Sequence, residues 1–173
     1  MKRSSQLLIA VAVFGGAAGV WLGSRHSAPQ MVESAATQSL FGQSLNDLAG
    51  QPQALSTYRG QPLLVNFWAT WCAPCVEEMP AISVLHDELA QKPIKIIGIG
   101  IDSPTNIREF VQRVKVNYPL YIGGMGGSEL TRNFGNQAGS LPFTVLIGAD
   151  GRVRKTYLGR LKMDQVRADI AAL

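Results

Sequence analysis

The chain has 173 residues, 46% hydrophobic and 16% charged, which suits one globular domain with an appendage. Much of the net charge of +4 lies outside that domain: Lys2, Arg3 and Arg25 flank an apolar stretch, while from residue 34 onward 13 basic side chains face 11 acidic ones. A surface so nearly balanced excludes the electrostatic footprint of a nucleic-acid binder.

Ser4 to Ser24 is a run of 21 residues without a charge, about 31 Å long as a helix and enough to cross a hydrocarbon core. Lys2 and Arg3 precede it, so the positive-inside rule keeps the N-terminus cytoplasmic and sends the rest outward. Residues 1–24 are read as a signal anchor. Gly15, Gly16, Gly19 and Gly23 dilute the apolar signal, so a cleaved signal peptide is the competing reading. Its small-x-small site is poorly served, since Val20-Trp21-Leu22 follows the apolar core and Ser34-Ala35-Ala36 lies far downstream. Both readings place the domain on the extracytoplasmic side, where disulfides persist. Residues 25–39 are small and polar and read as a flexible tether.

The folded domain is then expected over 40–173, large enough to hold together without a disulfide. Residues 61–69, QPLLVNFWA, form an apolar β-rich run that predicts a buried strand. From Cys72 to about Ala90, Met79, Ile82, Leu85 and Leu89 recur at helical spacing, with Pro80 expected to kink the helix without ending it. Residues 94–102 predict a strand covered on both faces. Ser103-Pro104-Thr105 opens a helix whose apolar face is Ile107, Phe110, Val111 and Val114. A short strand over 118–124 and a short helix from Ser128 to Phe134 follow. Residues 141–159 read as a hairpin turning at Ala149-Asp150-Gly151, and a helix from Met163 to Leu173 closes the chain. Strands alternating with helices, then a hairpin and helix, predict an α/β fold: a mixed sheet with helices on both faces.

FWATWCAPCVEEMP, residues 67–80, holds both cysteines of the chain. A bridge from Cys72 to Cys75 closes so short a loop that it restrains almost nothing, which sets a structural staple aside. Zinc wants four ligands. The chain's two histidines are His26, in the tether, and His86, on the helix, which reads as a surface residue. A two-coordinate Cu(I) site on the two thiolates is chemically open, and a Cu(I) metallochaperone is the alternative function. The redox reading uses more of the stretch. Cys72 follows a strand and opens a helix, where free N–H groups and the macrodipole favour a thiolate. Pro74 falls in the first turn, where its missing N–H costs nothing. Cys75, one turn in, is expected to be more buried and to resolve the mixed disulfide formed when Cys72 attacks a partner. Glu78 shares a helix face with Cys75, whereas Glu77 points elsewhere and reads as a solvated acid. A carboxyl at position 78 can exchange the proton that Cys75 gives and takes.

These residues resemble the thioredoxin-like proteins: W-C-x-P-C after an apolar strand, Pro80 five residues past the second cysteine, and a distant Leu141-Pro142 segment. The chain is most similar to the membrane-anchored TlpA/ResA branch of thiol-disulfide oxidoreductases, over about 40–173. The resemblance implies a thioredoxin-like mixed sheet flanked by helices, with a helix-strand insertion from Pro104 to Gly127. It implies catalytic roles for Cys72, Cys75 and Glu78, and a partner-binding surface of Trp71, Ala73, Pro74, Leu141 and Pro142. The Leu141–Pro142 bond would be cis and would stand opposite the cysteines. Asn66 stands where thioredoxin has a buried aspartate, as in the anchored branch, which directs attention to Glu78. Phe143 follows Pro142 where the thioredoxin pattern has threonine, so the bordering surface should be larger and more apolar.

The implied activity is reduction of protein disulfides in cytochrome c maturation or copper-site assembly, with electrons from a membrane thiol donor. The implied cofactor is none beyond the Cys72–Cys75 pair. The expected protein is a monomer on the periplasmic side of the bacterial inner membrane, held by its N-terminal helix. A disulfide-introducing oxidant is a further alternative. A thiol peroxidase needs a Thr-x-x-Cys setting, and Thr70 is only two residues before Cys72. The glycine-rich GGMGGS, 123–128, lacks a Gly-Lys-Ser/Thr ending and reads as a mobile connection.

Overall fold

The computed structural model of the protein describes residues 33–173. The predicted anchor and most of the tether lie outside the described residues. Among those described, no helix is long and apolar enough to cross a membrane.

Seven strands form one sheet: β1 (Ser44–Asp47), β2 (Pro52–Ala54), β3 (Leu63–Trp68), β4 (Lys95–Gly100), β5 (Leu120–Ile122), β6 (Phe143–Ile147) and β7 (Val153–Leu158). Among the described residues five α-helices accompany them, α1 (Ala35–Phe41), α2 (Ala73–Glu88), α3 (Pro104–Arg113), α4 (Gly124–Asn133) and α5 (Met163–Ala171), with a 3-10 helix at Leu55–Tyr58. The strand order is β2-β1-β5-β4-β3-β6-β7. β3, β4 and β5 run parallel, and the remaining pairs are antiparallel. The mixed α/β sheet predicted from the sequence is the one observed.

Alternation along the central strands sorts the core into two layers. Leu64 and Trp68 of β3 pack with Ile96, Leu146 and the inner face of α2, Cys75, Met79, Ile82 and Leu85. Leu63, Val65 and Phe67 point the other way, onto Leu40 and Phe41 of α1 and Leu130 of α4. Asn66, between Val65 and Phe67, therefore belongs to the face covered by α2. On β6, Phe143, Val145 and Ile147 share the second layer, so Thr144 lies on the first, directly opposite Asn66 in the antiparallel register.

Four differences from the sequence reading stand out. The last residues of the predicted tether are helical: Ser34 caps α1, its hydroxyl accepting from Thr37 N, and Leu40 and Phe41 are buried. A seven-residue helix with two apolar anchors is too short to show a period. The β1–β2 hairpin was not anticipated, because both strands are short and largely exposed. The predicted mobile connection over 123–128 is instead the start of α4, which begins four residues before Ser128. Gly123 serves close packing there, since a Cβ at that position would lie 2.6 Å from Ile99 Cγ2. α2 runs on through Pro80, which lies on its exposed side. His86 is half-buried rather than free on the surface, its ring centroid 6.5 Å from that of Tyr118.

Candidate active site

β3 ends at Trp68 and α2 starts at Ala73, so the intervening residues sit at the C-terminal end of the parallel strands. Cys72 is the N-cap of α2, with extended backbone, and its carbonyl accepts from Cys75 N and Val76 N. Its sulfur thus sits at the positive end of a 16-residue helix with no acidic residue in the first turn. Cys72 and Cys75 are joined as a disulfide, their Cα atoms 5.3 Å apart. Both cysteines are buried, Cys72 at 6% exposed and Cys75 completely.

The loop before the cysteines is tied down from one side. Thr70 Oγ1 donates to Asp102 Oδ2, while Asp102 Oδ1 accepts from Ser103 N and Asn106 Nδ2. Partial burial pushes the Asp102 carboxyl up, but these hydrogen bonds outweigh it and hold it below the usual carboxylate range. Trp71, next to the anchored Thr70, is left 68% exposed.

Behind the pair lies Glu78, 4% exposed. Asn66 Nδ2 donates to its Oε1 at 2.9 Å and Leu161 N to its Oε2 at 3.0 Å. Asn66 Nδ2 also donates to Thr144 Oγ1 at 3.0 Å, and both Asn66 and Thr144 are fully buried. Loss of water pushes the Glu78 carboxyl up; the bonds from Leu161 and Asn66 and the Arg160 charge oppose that without cancelling it. Burial, and secondly the Glu78 charge, push the nearby Tyr118 phenol up. Glu77 faces out and pairs with Arg160 at 2.7 Å, as a solvated acid should. The site is closed on its far side by Gly159, whose N–H donates to Pro142 O, two residues before the Leu161 that holds Glu78.

The predicted site residues fall at one end of the sheet. Trp71 and Ala73 are exposed and Pro74 half-buried beside the disulfide. Leu141 and Pro142 precede β6, whose Phe143 pairs with Phe67 at the end of β3. Their peptide bond is cis. Leu141 is half-buried and Pro142 buried. Sequence reasoning missed the hydrogen-bonding roles of Asn66, Thr144 and Leu161. Asn66 carried a signal, a polar residue inside an apolar strand on the face that α2 covers. Leu161 carried none, because it acts through its backbone. Among the described residues no group of three or more His, Cys, Asp or Glu is placed to hold a metal ion. A groove of about 820 Å³, lined by Leu85, Leu89, Ile94 and Ile170 among others, lies at the other end of α2 from the cysteines.

Fold and dithiol together define a thioredoxin-like thiol-disulfide oxidoreductase. Residues 26–172 match the Redoxin family. The chain is 29% identical over 130 residues to the thiol-disulfide oxidoreductase ResA of Geobacillus thermodenitrificans, covering 75% of this chain and 72% of that one. It is 30% identical over 123 residues to ResA of Bacillus thuringiensis, covering 70% and 69%. A solved thioredoxin-related protein from Neisseria meningitidis serogroup B superposes with a TM-score of 0.66 at 30% identity, over 74% of this chain and 96% of that one. The chain belongs to the Redoxin family, as a thioredoxin-like protein of the TlpA/ResA type.

Proposed function

We propose that the protein is an extracytoplasmic reductase of protein disulfides, of the kind that serves cytochrome c maturation or copper-site assembly, recharged by a membrane thiol donor. The observation that carries the chemistry is the Cys72–Cys75 pair at the start of α2, backed by a buried, doubly hydrogen-bonded Glu78. In the reduced protein the Cys72 thiolate attacks a partner disulfide, forming a mixed disulfide and releasing one partner thiolate. Cys75 then loses its proton to Glu78 and attacks Cys72 Sγ, which expels the second partner thiolate and closes the bridge. The partner gains two electrons and the pair gives them up. The donor reverses these steps. No cofactor beyond the pair enters.

Trp71, Ala73, Pro74, Leu141 and Pro142 form the partner surface. Exposed Trp71, with exposed Leu158 at the same end of the sheet, suits an apolar polypeptide segment. The apolar N-terminal run supports an anchored protein facing the periplasm, and we read it as a monomer. The test is the reduction potential of the pair in thiol redox buffers. A value near or below about −270 mV supports the reductase; one near about −120 mV makes the protein an oxidant that introduces disulfides.

A further inference from the structure

Glu78 must tolerate two protonation states on every turnover, and its two oxygens are held differently. Leu161 offers Oε2 a backbone N–H, which only donates. Asn66 offers Oε1 a primary amide, which donates through Nδ2 and accepts through Oδ1. Nδ2 serves both Glu78 and Thr144, while Asn66 Oδ1 is buried without a partner. Turned over about its last side-chain bond, the same amide presents Oδ1 to Glu78, where a protonated Oε1 can donate to it. Thr144 suits either orientation, because a hydroxyl both accepts and donates. The titratable and charged groups around Glu78 are Tyr118 ahead of β5 and Arg160 after β7, which is paired with Glu77; Cys72 and Cys75, bridged, do not titrate in the oxidised protein. Among the side chains hydrogen-bonded to Glu78, only Asn66 can change from donor to acceptor.

We propose that Asn66, backed by Thr144, is the positioning residue that sets the proton affinity of Glu78, its amide donating to the carboxylate and turning to accept from the acid. The idea rests on the reading of Glu78 as the proton partner of Cys75, and it has a consequence of its own. Asn66→Leu removes both bonds, and the one to the charged carboxylate is the stronger, so Glu78 should hold its proton to higher pH. Thr144→Val leaves the amide in place but less firmly held, and should move the midpoint less in the same direction.

The experiment is a carbon-13 titration of the Glu78 carboxyl in the oxidised full-length protein, with the Asn66 side-chain amide followed by nitrogen-15. The midpoint is expected to rise by about one to two pH units in Asn66→Leu and by less than about one in Thr144→Val. In the unsubstituted protein the Asn66 amide resonances should shift with the same midpoint as Glu78. Unchanged midpoints in both folded variants would overturn the proposal. So would Asn66 resonances that stay fixed while Glu78 titrates, a test that stands even if Asn66→Leu does not fold. Full activity in Glu78→Gln would defeat the proton-partner reading alone, leaving these titrations to decide the role of Asn66.

Discussion

Replacing Glu78 by Gln separates what this carboxyl does to the fold from what it does for the chemistry. Its two hydrogen bonds, at 2.9 and 3.0 Å, favour the charged form. Loss of water outweighs them, so the folded protein keeps the proton to higher pH than the unfolded chain does. The unfolded carboxyl ionises near about pH 4.3. Between there and the higher folded midpoint, the unfolded state has released a proton that the folded state retains. Stability therefore falls as pH rises through that window, by about 1.4 kcal/mol for each pH unit, and levels off above it. Glutamine has no such loss. Its oxygen can take the Leu161 N–H while its NH₂ meets the unpaired Asn66 Oδ1. Relative to the unsubstituted protein, Glu78→Gln should gain stability from about pH 4 upward, with about 3–6 °C in Tm for each pH unit of the window. Thiol exchange should meanwhile slow by about a hundredfold, the lower end of what a positioned acid–base group contributes. The assay is thermal unfolding of both oxidised proteins across pH 4–8, alongside disulfide-reduction kinetics. A stability gap that stays flat across this range, or that narrows as pH rises, would refute the reasoning.

Cys75→Ser should trap the mixed disulfide on Cys72, seen as a partner-linked species on non-reducing gels, because no second thiol is left to expel the partner. Cys72→Ser should trap none. Trp71→Ala should leave the unfolding free energy within about 0.5 kcal/mol of unchanged, since the side chain is largely exposed, yet raise KM for protein disulfides several-fold; an unchanged KM would remove Trp71 from the partner surface. Gly151→Ala should destabilise by more than about 1 kcal/mol in denaturant unfolding. Gly151 has φ +72°, and a Cβ there would fall 2.2 Å from Glu33 Cγ, next to the segment that leads into α1.

The sequence by itself determined the cysteine pair, its place at a strand-to-helix junction, the helix face that Glu78 shares with Cys75, and the central strands with the hairpin and closing helix. These are local properties, carried by spacing and by apolar runs long enough to have a period. The short elements escaped it. β1 and β2 bury too little to pattern, and α1 is held by two apolar residues inside a polar stretch. The glycines at 123–127 look the same in a sequence whether they loosen a loop or let a helix approach a strand; only the position of Ile99 decides between the two.

The surroundings of Glu78 were likewise a tertiary matter. Asn66 and Thr144 are 78 positions apart and meet because β3 and β6 pair in one antiparallel register, which turns both side chains toward α2. Leu161 reaches Glu78 from 83 positions away through a backbone N–H that no side-chain pattern encodes. A carboxyl one turn from the second cysteine can be read from spacing. Whether it is dry enough to hold its proton depends on what the sheet brings up against it.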